Sequence, residues 1–169
     1  MNVLIVDGYN IIGAWPALRK LKQYDLAAAR DKLIEELVEY QAFTGERVIV
    51  IFDAHLVPGI EKKLRTGKVE VVYTREKETA DERIEKLSHK LQKDIRLNVY
   101  VATSDYTEQR VTFGQGALRI PAMELLREVE SSKKNINERV REQNERKPSG
   151  KVLFDAETLA KLDKWRRRK

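Results

Sequence analysis

Four short runs of apolar, mostly β-branched residues punctuate the chain: Val3-Leu4-Ile5-Val6, Val48-Ile49-Val50-Ile51-Phe52, Val69-Glu70-Val71-Val72-Tyr73 and Val99-Tyr100-Val101-Ala102. Their length and composition predict strands. Three of them are continuously apolar rather than alternating, as strands are when a parallel sheet is covered on both faces. A weaker fifth run, Leu118-Arg119-Ile120, stops at Pro121, which has no N–H for a ladder. Between the runs the apolar spacing changes to three and four. Leu26, Ala29, Leu33, Leu37 and Tyr40 predict a helix, with Asp25 placed to cap it and Gly45 to end it. A second helix is predicted from Thr79 through Ile84, Leu87 and Leu91, and a third starting near Asp105. The resulting order, β-α-β-β-α-β-α-β-α, predicts an α/β three-layer sandwich with a mainly parallel central sheet and right-handed crossovers.

Beyond Pro121 the pattern weakens. Met123 to about Lys147 reads as one long helix, but past Val129 its apolar stripe thins to Ile136 and Val140, so this part buries little surface. Pro148-Ser149-Gly150 marks a turn. Asp155 then opens a short amphipathic helix with Leu159, Leu162 and Trp165 on one side. We therefore expect a folded body over residues 1–126 and a helical extension over 127–169.

Charge sharpens that division. The formal net charge is +6, yet residues 1–126 hold 19 Lys/Arg and 19 Asp/Glu, whereas residues 127–169 hold 14 and 8. All the excess is in the extension, as expected of an appendage that holds a polyanion, although a solvated charged helix with a sticky end has the same composition. The chain has no cysteine, which removes disulfides, thiolate zinc sites and Cys nucleophiles and suits a reducing compartment. No basic-then-apolar leader opens the sequence, and no apolar run approaches the roughly 20 residues that span a bilayer. A cytoplasmic location is the expectation.

In an open parallel α/β sheet, ligands bind beyond the carboxyl ends of the strands. Here those ends are acidic. The first strand ends Val6-Asp7-Gly8-Tyr9-Asn10, the second Phe52-Asp53, and the fourth Ala102-Thr103-Ser104-Asp105. Thr79-Ala80-Asp81-Glu82 follows the third strand and so opens its helix on the same edge. Crowded carboxylates repel one another unless some take up a proton or a cation intervenes. A divalent ion removes the conflict, and Mg²⁺, held by a few carboxylates with several waters, suits a shallow site open to a phosphate ligand. Such an ion activates water and polarises a phosphoryl oxygen, so phosphodiester hydrolysis is the natural chemistry. Each residue also has a plainer role open to it. Thr79 and Glu82 have capping-box spacing, and an acid at Asp81 is favoured by the helix dipole. Ser104 or Asp105 could cap the following helix. Asn10 is an ordinary turn residue, and Asp53 an outer partner. His55 and His89 are too far apart for a histidine-based site, Gly8 and Gly13 make no phosphate-binding fingerprint, and no serine has an evident base.

With Asp7-Gly8-Tyr9-Asn10, Thr79-Ala80-Asp81 and Thr103-Ser104-Asp105 in this order, the sequence resembles the NYN-domain branch of the PIN-like ribonucleases, and within it the bacterial YacP group. The resemblance implies an endoribonuclease that cuts mRNA in association with the ribosome. It also implies that Asp7, Asp81 and Asp105 are catalytic and hold Mg²⁺ or Mn²⁺, with Asn10, Asp53, Ser104 and Glu82 in support. The residue after Asp105 is Tyr106, and neither it nor Glu82 decides whether one metal or two is held.

RNA affinity comes largely from Lys and Arg on phosphates, with bases stacking on aromatic rings. Candidates are Tyr9, Lys62, Lys63, Arg65, Arg75 and Arg110, with Trp15, Lys77 and Tyr106 near the same edge. Tyr9 and Trp15 read equally as packing residues. Trp165-Arg166-Arg167-Arg168-Lys169 joins an aromatic to a charge run, which makes it the candidate contact to ribosomal RNA. Two other classes compete with the nuclease: a ribosome- or RNA-binding module that does not cleave, and an acidic-site phosphotransfer domain. A phosphatase would want a second Asp where Tyr9 stands, and a receiver domain a Lys where Arg119 and Ile120 stand.

Overall fold

The computed structural model describes residues 1–54, 63–104 and 116–146. The five runs read from sequence are all strands: β1 (Asn2–Asp7), β2 (Arg47–Phe52), β4 (Val69–Tyr73), β5 (Asn98–Thr103) and β6 (Leu118–Pro121). A further strand, β3 (Lys63–Thr66), precedes β4. The sheet order is β3-β4-β2-β1-β5-β6. Strands β4, β2, β1, β5 and β6 form a five-stranded parallel sheet with β1 at its centre, and β3 joins antiparallel at one edge. The β3–β4 hairpin turns at Gly67, whose φ of +61° is the left-handed value a two-residue turn needs.

Continuous apolarity in β1, β2 and β5 has the expected cause. Val3, Ile5, Ile49, Ile51, Val99 and Val101 face one core, shared with α4 (Ala80–Gln92) through Ala80, Ile84 and Leu91. Leu4, Val6, Val48, Val50, Phe52 and Ala102 face the other. That second core is closed by α3 (Leu26–Thr44), the first part of α5 (Ala122–Arg146), and two helices the apolar spacing did not predict, α1 (Gly8–Ala14) and α2 (Pro16–Lys22). These last are seven residues each, too short to show a periodic stripe, and they correct the expected element order together with β3.

The caps of the longer helices match the sequence. The Asp25 side chain accepts from the Ala28 N–H, and Gly45 ends α3 at φ +73°. Thr79 and Glu82 form a reciprocal capping box at α4. The helix expected near Asp105 and the one expected from Asp155 lie outside the described residues.

Residues Met1–Ile136 make one compact unit and Asn137–Lys169 another. Within the first, α5 buries Ala122, Leu125, Val129 and Ser132 at helical spacing. Tyr40 of α3 places its hydroxyl between the carboxylates of Glu128 (3.1 Å) and Glu46 (3.3 Å), and Lys133 pairs with Glu36. Burial and the two carboxylates hold the Tyr40 phenol well above its ordinary pKa, so it stays a donor. No described helix is long and apolar enough to cross a membrane.

The thinning stripe makes a quantitative contrast along α5. Leu125 is fully buried, whereas Val140 is half exposed. Leu125→Ala should cost about 2–5 kcal/mol in denaturant unfolding, while Val140→Ala should stay within about 0.5 kcal/mol of the parent chain.

Candidate active site at the carboxyl edge of the sheet

Strand register brings the candidate residues level. Asp7 pairs with Ile51, and Val6 pairs with Ala102, which puts Thr103 beside Asp7 and Ser104 one step beyond. Phe52 pairs with Tyr73, so Asp53 leaves the sheet at the same edge. Alternation along β1 places Asp7 on the face of Val3 and Ile5, which is the face that α4 covers. The first turn of α4 carries Asp81. The winding rule that located the acids in the sequence thus holds for Asp7, Asp53 and Asp81. Asp105 and Tyr106 lie outside the described residues, and among those described no three acidic or histidine side chains group closely enough to hold an ion.

Each residue of Asp7-Gly8-Tyr9-Asn10 has a definite structural task. Asp7 is only 6% exposed, and its Oδ1 caps α1 by accepting from the Asn10 N–H at 3.3 Å. Gly8 passes so close to β2 that a Cβ there would lie 2.2 Å from the ring of Phe52. Tyr9 packs edge-on against that same ring, at 5.1 Å between centroids, and Phe52 stacks in turn on Tyr73 at 5.6 Å. Asn10 Oδ1 accepts from both the Ser104 N–H (2.6 Å) and the Ser104 hydroxyl (2.5 Å), which ties the end of β5 to α1.

A second tie fixes the segment around Asp53. The Thr74 N–H donates to the Phe52 carbonyl at 3.0 Å, and the Thr74 hydroxyl accepts from the Ala54 N–H at 3.0 Å. Asp53 sits between these two bonds. At α4, Thr79 and Glu82 perform the capping, which gives Glu82 a structural role; Asp81 and Glu82 are both exposed in the first turn. Just ahead of that cap, buried Glu78 accepts from Lys86 Nζ at 3.1 Å and lies 3.6 Å from Arg83 Nη1, bracing the helix start.

Three contributors were not singled out from sequence: Thr74, Glu78 and Arg30. Arg30, in the second turn of α3, donates through Nη1 to the Tyr9 hydroxyl at 2.9 Å. It was findable, because a helix that follows β1 and leads into β2 must begin at the carboxyl edge, by the argument that placed Asp81. The Tyr9 phenol is raised above its ordinary pKa because partial burial outweighs the lowering effect of Arg30.

Of the RNA-binding candidates, Trp15 is a packing residue: it is 2% exposed and its indole N–H donates to the Ala122 carbonyl at 2.8 Å. Arg75 and Lys77 are exposed just past the end of β4. Lys63 and Arg65 fall on β3 rather than in a connection, and their side chains lie outside the description, as do Lys62, Arg110, Arg166, Arg167 and Arg168.

A parallel α/β sheet with Asp7, Asp53 and Asp81 at its carboxyl edge carries acids where sheets of this class bind their ligands. The chain belongs to the YacP-like NYN domain family, whose model matches residues 4–167; NYN domains are a nuclease-like family. It is 56% identical to a Bacillus subtilis protein described as uncharacterized protein YacP, over 99% of this chain and 98% of that one. The fold matches the crystal structure of Rae1 (YacP) from Bacillus subtilis with a TM-score of 0.78 at 56% identity, covering 99% and 96% of the two chains. A tryptophan-to-leucine mutant of that protein matches with a TM-score of 0.77 at 53% identity, covering 87% and 86%.

The close approach of Gly8 to Phe52 tests the local architecture. Gly8→Ala should cost about 1–3 kcal/mol in thermal or denaturant unfolding, because the Phe52 ring must leave its rotamer or the strand end must shift. An unchanged midpoint would show that the turn tolerates a methyl group.

Proposed function

We propose that this protein is a metal-dependent endoribonuclease that hydrolyses phosphodiester bonds in mRNA, working on the translating ribosome. The observation that carries the reading is the buried Asp7 carboxylate at the end of the central strand, held on the same sheet face as the helix that opens with Asp81. Family membership supports the nuclease class.

The acids described at this edge, Asp7, Asp81 and Asp53, offer oxygen donors, and in this reading Asp105 completes the set. Such a set suits a hard ion and has no thiolate or imidazole to favour zinc, which fits Mg²⁺ or Mn²⁺. Bound there, the ion would supply an activated water and neutralise charge on the phosphoryl oxygens. The chain itself contributes placement. The Asn10–Ser104 tie keeps the ends of β1 and β5 in register, the Thr74 bridge fixes the segment carrying Asp53, and the α4 cap fixes Asp81. The neutral body leaves much of the RNA affinity to local cations and to the basic extension, for which Trp165 and Arg166-Arg167-Arg168 are the ribosomal RNA contact in this reading.

Cleavage of a reporter mRNA during translation, with Mg²⁺ or Mn²⁺ and with ribosomes added or withheld, tests this. Asp7→Asn and Asp81→Asn should each lose cleavage by at least about a hundredfold while ribosome binding persists. Normal cutting by the mutants, or none by the parent chain, defeats the enzyme and leaves a binding module. Metal is checked separately: at about a hundred times its dissociation constant, Mn²⁺ should stabilise the parent chain by about 2.7 kcal/mol and Asp7→Asn by much less.

A further inference from the structure

The carboxyl edge gathers negative charge, and an RNA strand brings more, so a cation must stand where the strand crosses. We propose that Arg30, held by the Tyr9 hydroxyl, binds an RNA phosphate next to the scissile one on the α3 side of the edge; this rests on the nuclease reading above.

Arg30 differs from several of its basic neighbours in the kind of partner it has. Arg47 pairs with Glu70, Arg83 and Lys86 with Glu78, and Lys133 with Glu36 and Glu39. Arg30 is half-buried, and its polar contact among the described residues is the neutral Tyr9 phenol rather than a carboxylate. A guanidinium has five N–H donors in a fixed fork, of which this contact uses one. The remaining donors suit the bidentate geometry of a phosphate.

Tyr9 adds to the same feature. Its oxygen accepts from Arg30, so its own proton is turned toward another acceptor. The ring is fixed against Phe52, which itself stacks on Tyr73, so the phenol and the guanidinium are both preorganised. Asp53 lies near enough to act on the Tyr9 phenol by its charge. Arg30 and Tyr9 therefore stand beside the acids, on the face opposite α4. A strand crossing the ends of β1 and β2 meets the carboxylates on one side and this pair of donors on the other.

The test uses the full chain and a fluorescein-labelled single-stranded oligouridine of about 20 nucleotides, with EDTA present, read by anisotropy from about 50 to about 300 mM KCl. Arg30→Ala should weaken binding about tenfold and lower the salt slope by about 0.7, the value for one phosphate on a single strand. Arg30→Gln keeps a donor for Tyr9 but loses the charge, and it should show the same lower slope; it decides the matter if Arg30→Ala does not fold. Tyr9→Phe should weaken binding about two- to threefold with the slope unchanged. In cleavage, Arg30→Gln should raise KM more than it lowers kcat. Affinity and slope equal to the parent's in a folded Arg30 variant, or no RNA binding by the parent chain, overturn the proposal. Arg30-dependent binding in a parent chain that cleaves nothing keeps it and defeats the nuclease instead.

Discussion

The turn from β1 into α1 is the constraint on which the rest depends. A helix that begins directly at a strand end must pass across the neighbouring strand, and here it does so against the Phe52 ring with no room for a Cβ at Gly8. That approach puts Asp7 at the junction, where one carboxylate both caps the new helix and stands at the carboxyl edge of the sheet. It also delivers Tyr9 onto Phe52 and Asn10 to Ser104. A looser turn would separate these contacts. The four-residue motif is therefore a packing solution as much as a set of chemical groups.

Much of this was legible in the sequence because the strong signals are local. Continuous β-branched runs identified the parallel strands, and Asp25, Gly45, Thr79 and Glu82 marked helix ends by hydrogen bonds made within a few residues. The same signals fail below a certain length. Helices α1 and α2 have seven residues each, and their stability comes from Ile11, Ile12, Trp15 and Leu18 packing on the sheet. Strand β3 is specified mainly by its partner β4 and by the turn at Gly67, not by its own apolar pattern.

The site divides along a similar line. Asp7, Asp53 and Asp81 could be placed by topology, since the ends of parallel strands and the starts of the helices that follow them share an edge. Residues that act by holding others could not. Thr74 and Glu78 look like ordinary loop residues until the strand ends are set in register, and Trp15 looks like a stacking platform until α5 arrives over its indole. Sequence spacing shows which groups reach the edge; which of them face solvent and which are consumed by packing follows only from the tertiary contacts.

Electrostatics gives the arrangement its economy. A body with equal numbers of acids and bases does not attract a polyanion by net charge, so the attraction that the proposed function needs is local. Arg47 pairs with Glu70, and Arg83 and Lys86 with Glu78, so part of the positive charge near the sheet is balanced locally. Arg30 instead rests on a neutral phenol, which leaves its charge without a carboxylate partner among the described residues. In the proposed nuclease, long-range attraction belongs to the extension, where the excess positive charge lies, while the choice of which phosphate meets the acids belongs to the edge. Such a division suits the proposed delivery by a larger anionic partner, because capture and cleavage are then not asked of the same residues.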